Sequence, residues 1–282
     1  MKKCNRVAVF ALFIPLAIAQ ARSQSNEHNN KFSKFAQAAS EARTSLIRHE
    51  IRTLKNHEWA GEYFYGDGLG VNIFLTLAPV HGFVFTWHGC LGLYDLNYGK
   101  VIFENGTIKL DFTYPNKQQG LEGIAPELLP VHWGKRHYLI PVGRVLDFTN
   151  AIKAGTEPNF LFGGLSYSFL LKKGDEKKRA EGQPTLPSEF LSYILPAPIT
   201  ASITSVEHIE IKGNRRTATS RVDVGSSTRL KKGMELFLQN RSHVYVSAIV
   251  TDVTENSAMA VIEQDDVADP APSVGWELST KL

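Results

Sequence analysis

Apolar residues recur every three or four positions between residues 31 and 57, with Lys, Arg, Glu and Gln between them. This spacing places the apolar side chains on one face of a helix. No glycine or proline interrupts the segment. The pattern therefore predicts an amphipathic helix. Because its polar positions mix both charge signs and its apolar stripe contains several alanines, we expect it to pack on its own domain rather than on a membrane or partner.

From Trp59 onward the pattern changes to short runs rich in Tyr, Phe, Val and Ile, separated by glycine-bearing turns. The run 71–77 alternates between two faces, as a strand does. Asn105-Gly106 separates two further runs and supplies the positive φ angles of a tight hairpin turn. Because connections of hairpin length cannot join parallel strands, this pattern of short runs and turns predicts an antiparallel sheet. Later predicted elements are a loop at 114–130, a strand at 136–140, a short helix at 144–153 and a closing strand at 165–172.

The segment 173–195 is polar, carries both charge signs and contains glycine and two prolines. This composition predicts a linker followed by a docking segment. Six short strand-like runs then follow in residues 196–282, which suits a small barrel or sandwich. The predicted fold class is α+β and mainly antiparallel β. Its predicted parts are residues 1–21, 22–57 with the helix, 58–172 as a β domain with a short helix, 173–195, and 196–282 as a second, independently folding β-barrel-like domain.

Two patterns resemble known architectures. The up-and-down runs of residues 58–172 resemble lipocalin-like or calycin-like barrels, which implies a sheet curled around a core. Val224-Gly225-Ser226-Ser227 followed by Leu230-Lys231-Lys232-Gly233-Met234 resembles a turn in small β-barrel modules of bacterial envelope proteins. That resemblance implies turn conformations at Gly225 and Gly233 that other residues rarely adopt. As a whole, the chain resembles uncharacterised exported bacterial two-domain β-rich proteins.

The N-terminus has the three parts of a secretory signal peptide. Lys2, Lys3 and Arg6 are followed by an apolar run and then by Ala19-Gln20-Ala21, a small-x-small cleavage pattern. The run is short for a bilayer span, and a polar stretch follows it directly. We therefore expect residues 1–21 to be removed and no transmembrane helix to be retained. The protein is expected in the periplasm or the medium.

Loss of the signal peptide changes the charge and cysteine content of the chain. It removes three of the 31 basic residues and none of the 28 acidic ones, so the mature chain is formally neutral. A neutral chain gives no support for nucleic-acid binding. Cys4 leaves with the signal peptide, so Cys90 becomes the only thiol and an intrachain disulfide is excluded.

Two groups of residues suggest catalytic chemistry. Cys90 lies two positions after His88, but nucleophilic catalysis needs a base within hydrogen-bond reach, so we expect a buried, unreactive thiol instead. Four histidines could converge on a metal, yet none shows a recognised ligand spacing, and we predict no metal site and no cofactor. These histidines are His81, His88, His132 and His137.

The aromatic residues are the most suggestive group for binding. In a calycin-like barrel some of them would line a cavity for an apolar ligand, although aromatics in antiparallel strands also build ordinary cores. The candidate ligand-binding residues are Tyr63, Tyr65, Phe83, Phe85, Trp87 and Trp133. The predicted function is an exported, non-enzymatic binding or scaffold module for a small apolar ligand or an envelope protein. The alternative is a hydrolase that uses Cys90 or a histidine-bound metal.

We expect the exported protein to begin at or near Arg22, because signal peptidase cuts after the small-x-small pattern that ends at Ala21. Intact-mass measurement of exported protein checks this. Ala21→Arg should block cleavage and serves as the control. Recovery of the wild-type chain with residues 1–21 still attached in the membrane would contradict the prediction.

Overall fold

The computed structural model describes residues 32–66, 68, 70–155, 169–239 and 246–282. The predicted signal peptide and Asp67, Leu69, 156–168 and 240–245 lie outside the described residues. The fold is mainly antiparallel β, as predicted. The described residues form two compact units. The first contains those up to Val142 together with Leu170–Gly182, and the second contains those from Gly143 up to residue 169 together with Gln183–Leu282.

The first unit is a closed eight-stranded barrel in which each strand pairs antiparallel with the next along the chain. This confirms the predicted antiparallel barrel. The strands are β1 (Gly61–Gly66), β2 (Val71–Ala78), β3 (Gly82–Gly89), β4 (Gly92–Glu104), β5 (Thr107–Phe112), β6 (Glu127–Trp133), β7 (Arg136–Pro141) and β8 (Leu170–Lys172). Asn105 and Gly106 have φ angles of 51° and 74°, as the predicted turn between β4 and β5 requires.

Closure depends on the short strand β8. Leu171 lies opposite Phe64 of β1 and opposite Tyr138 of β7, so one residue joins the first and seventh strands. The closing strand was predicted over 165–172. In the structure it begins at Leu170, and positions up to 168 lie outside the described residues.

Strand β6 overlaps the predicted loop at 114–130, so that prediction is wrong for the last four positions. Pro130 favoured the loop because proline lacks a backbone N–H and is depleted from sheet interiors. The structure explains why it is tolerated. Strand β6 pairs with β5 only at Glu127 and Leu128, so beyond Leu128 it behaves as an edge strand on that side.

Helix α1 (Lys34–Leu54) begins at Ser33, whose hydroxyl accepts the Ala36 N–H at 3.1 Å. It packs on β2, β3 and β4, as expected for a helix that covers its own domain. The buried carboxylate of Glu50 accepts the N–H groups of Val80 and His81 at 2.9 and 3.0 Å, and lies 2.8 Å from His81 Nδ1. The helix is therefore anchored to the turn between β2 and β3.

The second unit is a closed six-stranded antiparallel barrel with order β9-β10-β13-β12-β11-β14 and back to β9. Its helices within the described residues are α2 (Val145–Ala154) and α3 (Ser188–Leu191). Its strands are β9 (Thr200–Lys212), β10 (Arg215–Val222), β11 (Glu235–Leu238), β12 (Ser247–Val253), β13 (Ala258–Gln264) and β14 (Glu277–Ser279).

Two segments are grouped differently from the predicted domains. Helix α2, predicted within 58–172, belongs to the second unit, where Asn150 Nδ2 donates to the Gly233 carbonyl at 3.0 Å. The first part of the predicted linker 173–195 packs on the first barrel: Arg136 donates to the carbonyls of Lys178 and Glu176 at 2.6 and 3.1 Å. The backbone of that part is therefore bound to the start of β7, although its side chains are polar. The independent folding of 196–282 stays a prediction.

The two glycines singled out in the sequence have different roles. Gly233 has φ 84°, a conformation that favours glycine, and a Cβ there would also displace the end of the Leu146 side chain, 2.5 Å away. Gly225 is instead extended, with φ −140°. A Cβ at Gly225 would lie 2.3 Å from the Thr254 carbonyl oxygen, so close backbone approach is the constraint there.

We expect Glu50→Gln to destabilise the protein at pH 7 by about 1–3 kcal/mol, because a buried N–H loses its acceptor. Hydrogen bonds from Val80 and His81 outweigh burial and lower the pKa of Glu50 below its ordinary value of 4.5. Its stabilising effect is therefore present above pH 4.5 and lost as the pH falls through the lowered value.

Urea unfolding at pH 7 and at pH 3 measures this difference between wild type and variant. Glu41→Gln, on an exposed position of the same helix, is the control and should change little. A Glu50→Gln loss that is equally large at pH 3 would contradict the expectation.

Candidate ligand site in the eight-stranded barrel

Five of the six predicted aromatics lie on the inner face of the first barrel. Opposite residues on paired strands share a face, and Tyr63 lies opposite Leu75, which lies opposite Phe85. The other face of β2 carries the exposed side chain of Phe74. The inner aromatics are all buried, and they are Tyr63, Tyr65, Phe83, Phe85 and Trp87.

The sixth predicted aromatic, Trp133, lies apart from this group. It is the last residue of β6, beside the turn to β7, and its indole Nε1 donates to the Gly182 carbonyl at 2.9 Å. Sequence periodicity could not distinguish Trp133 from the five inner aromatics, because its hydrogen-bond partner Gly182 is almost fifty positions away in the chain. The structure therefore gives Trp133 a role in fixing the segment that follows β8.

Trp87 is the unusual member of the inner group. Its side chain is 4% exposed, and its indole Nε1 has no hydrogen-bond partner in the part of the chain that the structure describes. A buried donor without an acceptor costs about 1–3 kcal/mol. Such groups are rare in native proteins, and each calls for a physical explanation.

Two polar residues that sequence reasoning did not select also lie on the inner face. Asp95 is opposite Trp87, and Asn97 is opposite Phe85. Asp95 Oδ2 accepts the Gly123 N–H at 2.6 Å, while Asn97 Nδ2 donates to the Tyr114 carbonyl at 2.9 Å. They anchor the 113–126 loop at the Trp87 end of the barrel. Their alternation with Tyr94, Leu96 and Tyr98 was the available signal.

A second polar group lies at the opposite end, where β7 begins. Asp175 Oδ2 accepts the His137 N–H at 2.8 Å and lies 2.7 Å from His137 Nδ1, while Lys178 Nζ is 2.5 Å from Asp175 Oδ1. Burial favours the neutral acid, but the hydrogen bonds from Lys178 and His137 outweigh it and lower the pKa of Asp175. Burial also lowers the pKa of His137. The carboxylate therefore holds His137 and the turn after β8 together.

The four candidate histidines do not gather at one point. His132 and His137 are neighbours, with ring centroids 4.4 Å apart, whereas His81 is held by Glu50 and the ring of His88 lies against Phe74 at 6.2 Å. Within the described residues no group of three or more side chains could hold a metal ion.

Cys90 is exposed, which contradicts the expected buried thiol. The expectation took the residue as the end of a strand. In the structure β3 ends at Gly89, and Cys90 lies in the turn that leads to β4. A turn at the end of a hairpin leaves its side chains in solvent.

Comparisons with protein-family models, with curated proteins and with solved structures find no match to this chain. Among the described residues, no helix has the length and apolar character needed to cross a membrane.

The indole N–H of Trp87 should have no strong hydrogen bond in the ligand-free protein. Ultraviolet resonance Raman spectroscopy reports indole hydrogen bonding, and the wild-type minus Trp87→Phe difference isolates this residue. The matched difference for Trp133→Phe should show a hydrogen-bonded indole, because Trp133 donates to Gly182. A hydrogen-bonded signal for Trp87 would show that its indole N–H has an acceptor, such as an ordered water, and would contradict this expectation.

Proposed function

We propose that the chain is an exported, non-enzymatic binding module. Its eight-stranded barrel, of lipocalin-like or calycin-like type, takes a small apolar or aromatic ligand into its interior. The observation that carries the proposal is the buried N–H of Trp87, which faces the interior without an acceptor among the described residues. A ligand that accepts this hydrogen bond would remove the cost of the unsatisfied donor.

The composition of the inner face supports a ligand site. Binding cavities are mostly apolar and aromatic, with a few polar groups that orient the ligand. Here Trp87 shares the inner face with four buried aromatics, and Asp95 and Asn97 are buried polar residues on the same face. Eight strands give an interior that side chains can fill or that can hold one small ligand. A single orienting donor among aromatics matches this type of site.

Export is the second part of the proposal. It rests on the charged start, apolar run and Ala19-Gln20-Ala21 pattern of the sequence. A carrier of apolar molecules works in an aqueous compartment, where its ligand is poorly soluble. Periplasm and medium both meet this condition.

A hydrolase would need a base near Cys90 or a metal bound by histidines. His88 is the nearest histidine in sequence, and its ring packs against Phe74 on the outer face of the barrel. His137 is engaged by Asp175, which also holds Lys178. Because these contacts engage both histidines away from Cys90, they favour the binding module over a hydrolase.

Prodan, an uncharged naphthalene with a ketone acceptor, is a suitable probe because its emission moves to the blue in apolar surroundings. We expect a saturable blue shift when purified protein is added. Trp87→Phe should weaken binding about fivefold to tenfold, the value of one hydrogen bond of about 1 kcal/mol in a buried site. Its bound emission should move further to the blue, since the ketone loses its donor.

Trp133→Phe is the matched control and should bind prodan as the wild type does. Circular dichroism of each variant verifies that the fold is retained. The absence of a saturable shift in the wild type, or equal affinity and emission in Trp87→Phe, would refute the proposed interior site.

A further inference from the structure

Trp87 and Asp95 form an unusual pair on the inner face. They lie directly opposite each other on β3 and β4, so both side chains point to the same side of the sheet. Both are buried, at 4% and 9% exposure. One is a neutral hydrogen-bond donor and the other an acidic acceptor, yet the indole Nε1 does not bond to the carboxylate. A donor and an acceptor thus share the inner face without bonding to each other.

The local backbone is irregular at this point. The register between β3 and β4 shifts immediately after the pair, because Trp87 lies opposite Asp95 and His88 lies opposite Leu93. Strand β4 therefore carries one extra residue, Tyr94, in a β-bulge. A β-bulge changes the direction in which nearby side chains point, and bulges are frequent beside functional sites.

Asp95 retains acceptor capacity. Its Oδ1 accepts the Leu96 N–H at 2.9 Å and its Oδ2 accepts the Gly123 N–H at 2.6 Å. A carboxylate has about four lone-pair positions, so each oxygen can take a further donor. The carboxylate can therefore hold the 113–126 loop and still receive a ligand N–H.

We propose that the ligand presents an amide edge, with a carbonyl oxygen and an N–H side by side on an apolar ring, as in a lactam. The carbonyl accepts from Trp87 Nε1, and the N–H donates to the carboxylate of Asp95. This inference rests on the proposed function, since it names the ligand class for the same interior site.

Other ligand chemistries satisfy only part of the site. A carboxylate ligand is repelled by Asp95, and a ketone or ether leaves that carboxylate without a further donor. An amine bonds to Asp95 but leaves the indole N–H unsatisfied. A ligand that lacks the carbonyl leaves the buried indole N–H of Trp87 unpaired, and a ligand that lacks the N–H forgoes an additional hydrogen bond to Asp95.

Equilibrium dialysis with three probes of similar size tests the inference. The probes are 2-quinolone, which has the full amide edge, N-methyl-2-quinolone, which lacks the N–H, and naphthalene, which lacks both groups. We expect 2-quinolone to bind at least about tenfold more tightly than either analogue, corresponding to one or more buried hydrogen bonds.

Two variants assign the effect to residues. Trp87→Phe and Asp95→Asn should each reduce the preference for 2-quinolone over naphthalene to about threefold or less. The matched controls Trp133→Phe and Asp111→Asn, at an exposed aspartate of β5, should keep the wild-type preference. If Asp95→Asn fails to fold because the 113–126 loop is released, the comparison of 2-quinolone with N-methyl-2-quinolone on wild type decides alone.

The outcomes separate the two proposals. Tight binding of 2-quinolone with loss in both variants supports the amide edge. Equal binding of all three probes leaves the interior site in place and overturns the amide edge, as expected if a water molecule alone bridges Trp87 and Asp95. No binding of any of the three probes, together with no prodan shift, overturns both proposals.

Discussion

Closure of the first barrel is the constraint on which its other features depend. Strand β8 supplies only Leu170–Lys172, yet it joins β7 to β1 and leaves the eight strands in a continuous ring. Closure removes the sheet edges and fixes which side chains point inward. Because Trp87 and Asp95 are buried on this inner face, their polar atoms need partners there. This requirement for partners is what makes the indole N–H of Trp87 and the carboxylate of Asp95 important.

Polar side chains fix the segments that surround the barrel. Glu50 and Asp175 make the same pattern of hydrogen bonds. Each carboxylate accepts the backbone N–H of a histidine and lies within hydrogen-bond distance of Nδ1 of that histidine. One anchors helix α1 to the turn between β2 and β3, and the other anchors the turn after β8. Ionised carboxylates make strong hydrogen bonds with backbone donors, which suits them to hold irregular segments.

The sequence predicted the parts of the fold that depend on local alternation. The strands around Tyr63 and Phe85 show a clear period of two, and the five inner aromatics follow from that period alone. Strand β6 was not predicted because it contains Pro130, and proline indicates a loop unless one side of the strand is known to lack a paired neighbour. Helix α2 is grouped with the second unit instead of with residues 58–172, and its contact through Asn150, which joins residues 83 positions apart, leaves no local signal in the sequence. Asp95 was missed as a site residue because burial of a carboxylate depends on distant donors such as Gly123.

The two polar ends of the barrel differ in a way that bears on function. At the His137 end, the carboxylate of Asp175 is engaged by a charged partner, Lys178, as well as by the histidine. At the Trp87 end, Asp95 is bonded only by backbone N–H groups among the described residues. These backbone donors hold the 113–126 loop and are uncharged, unlike Lys178 at the other end. Asp95 and the unsatisfied indole N–H of Trp87 share the inner face at this end of the barrel, and the proposed ligand site rests on these two groups.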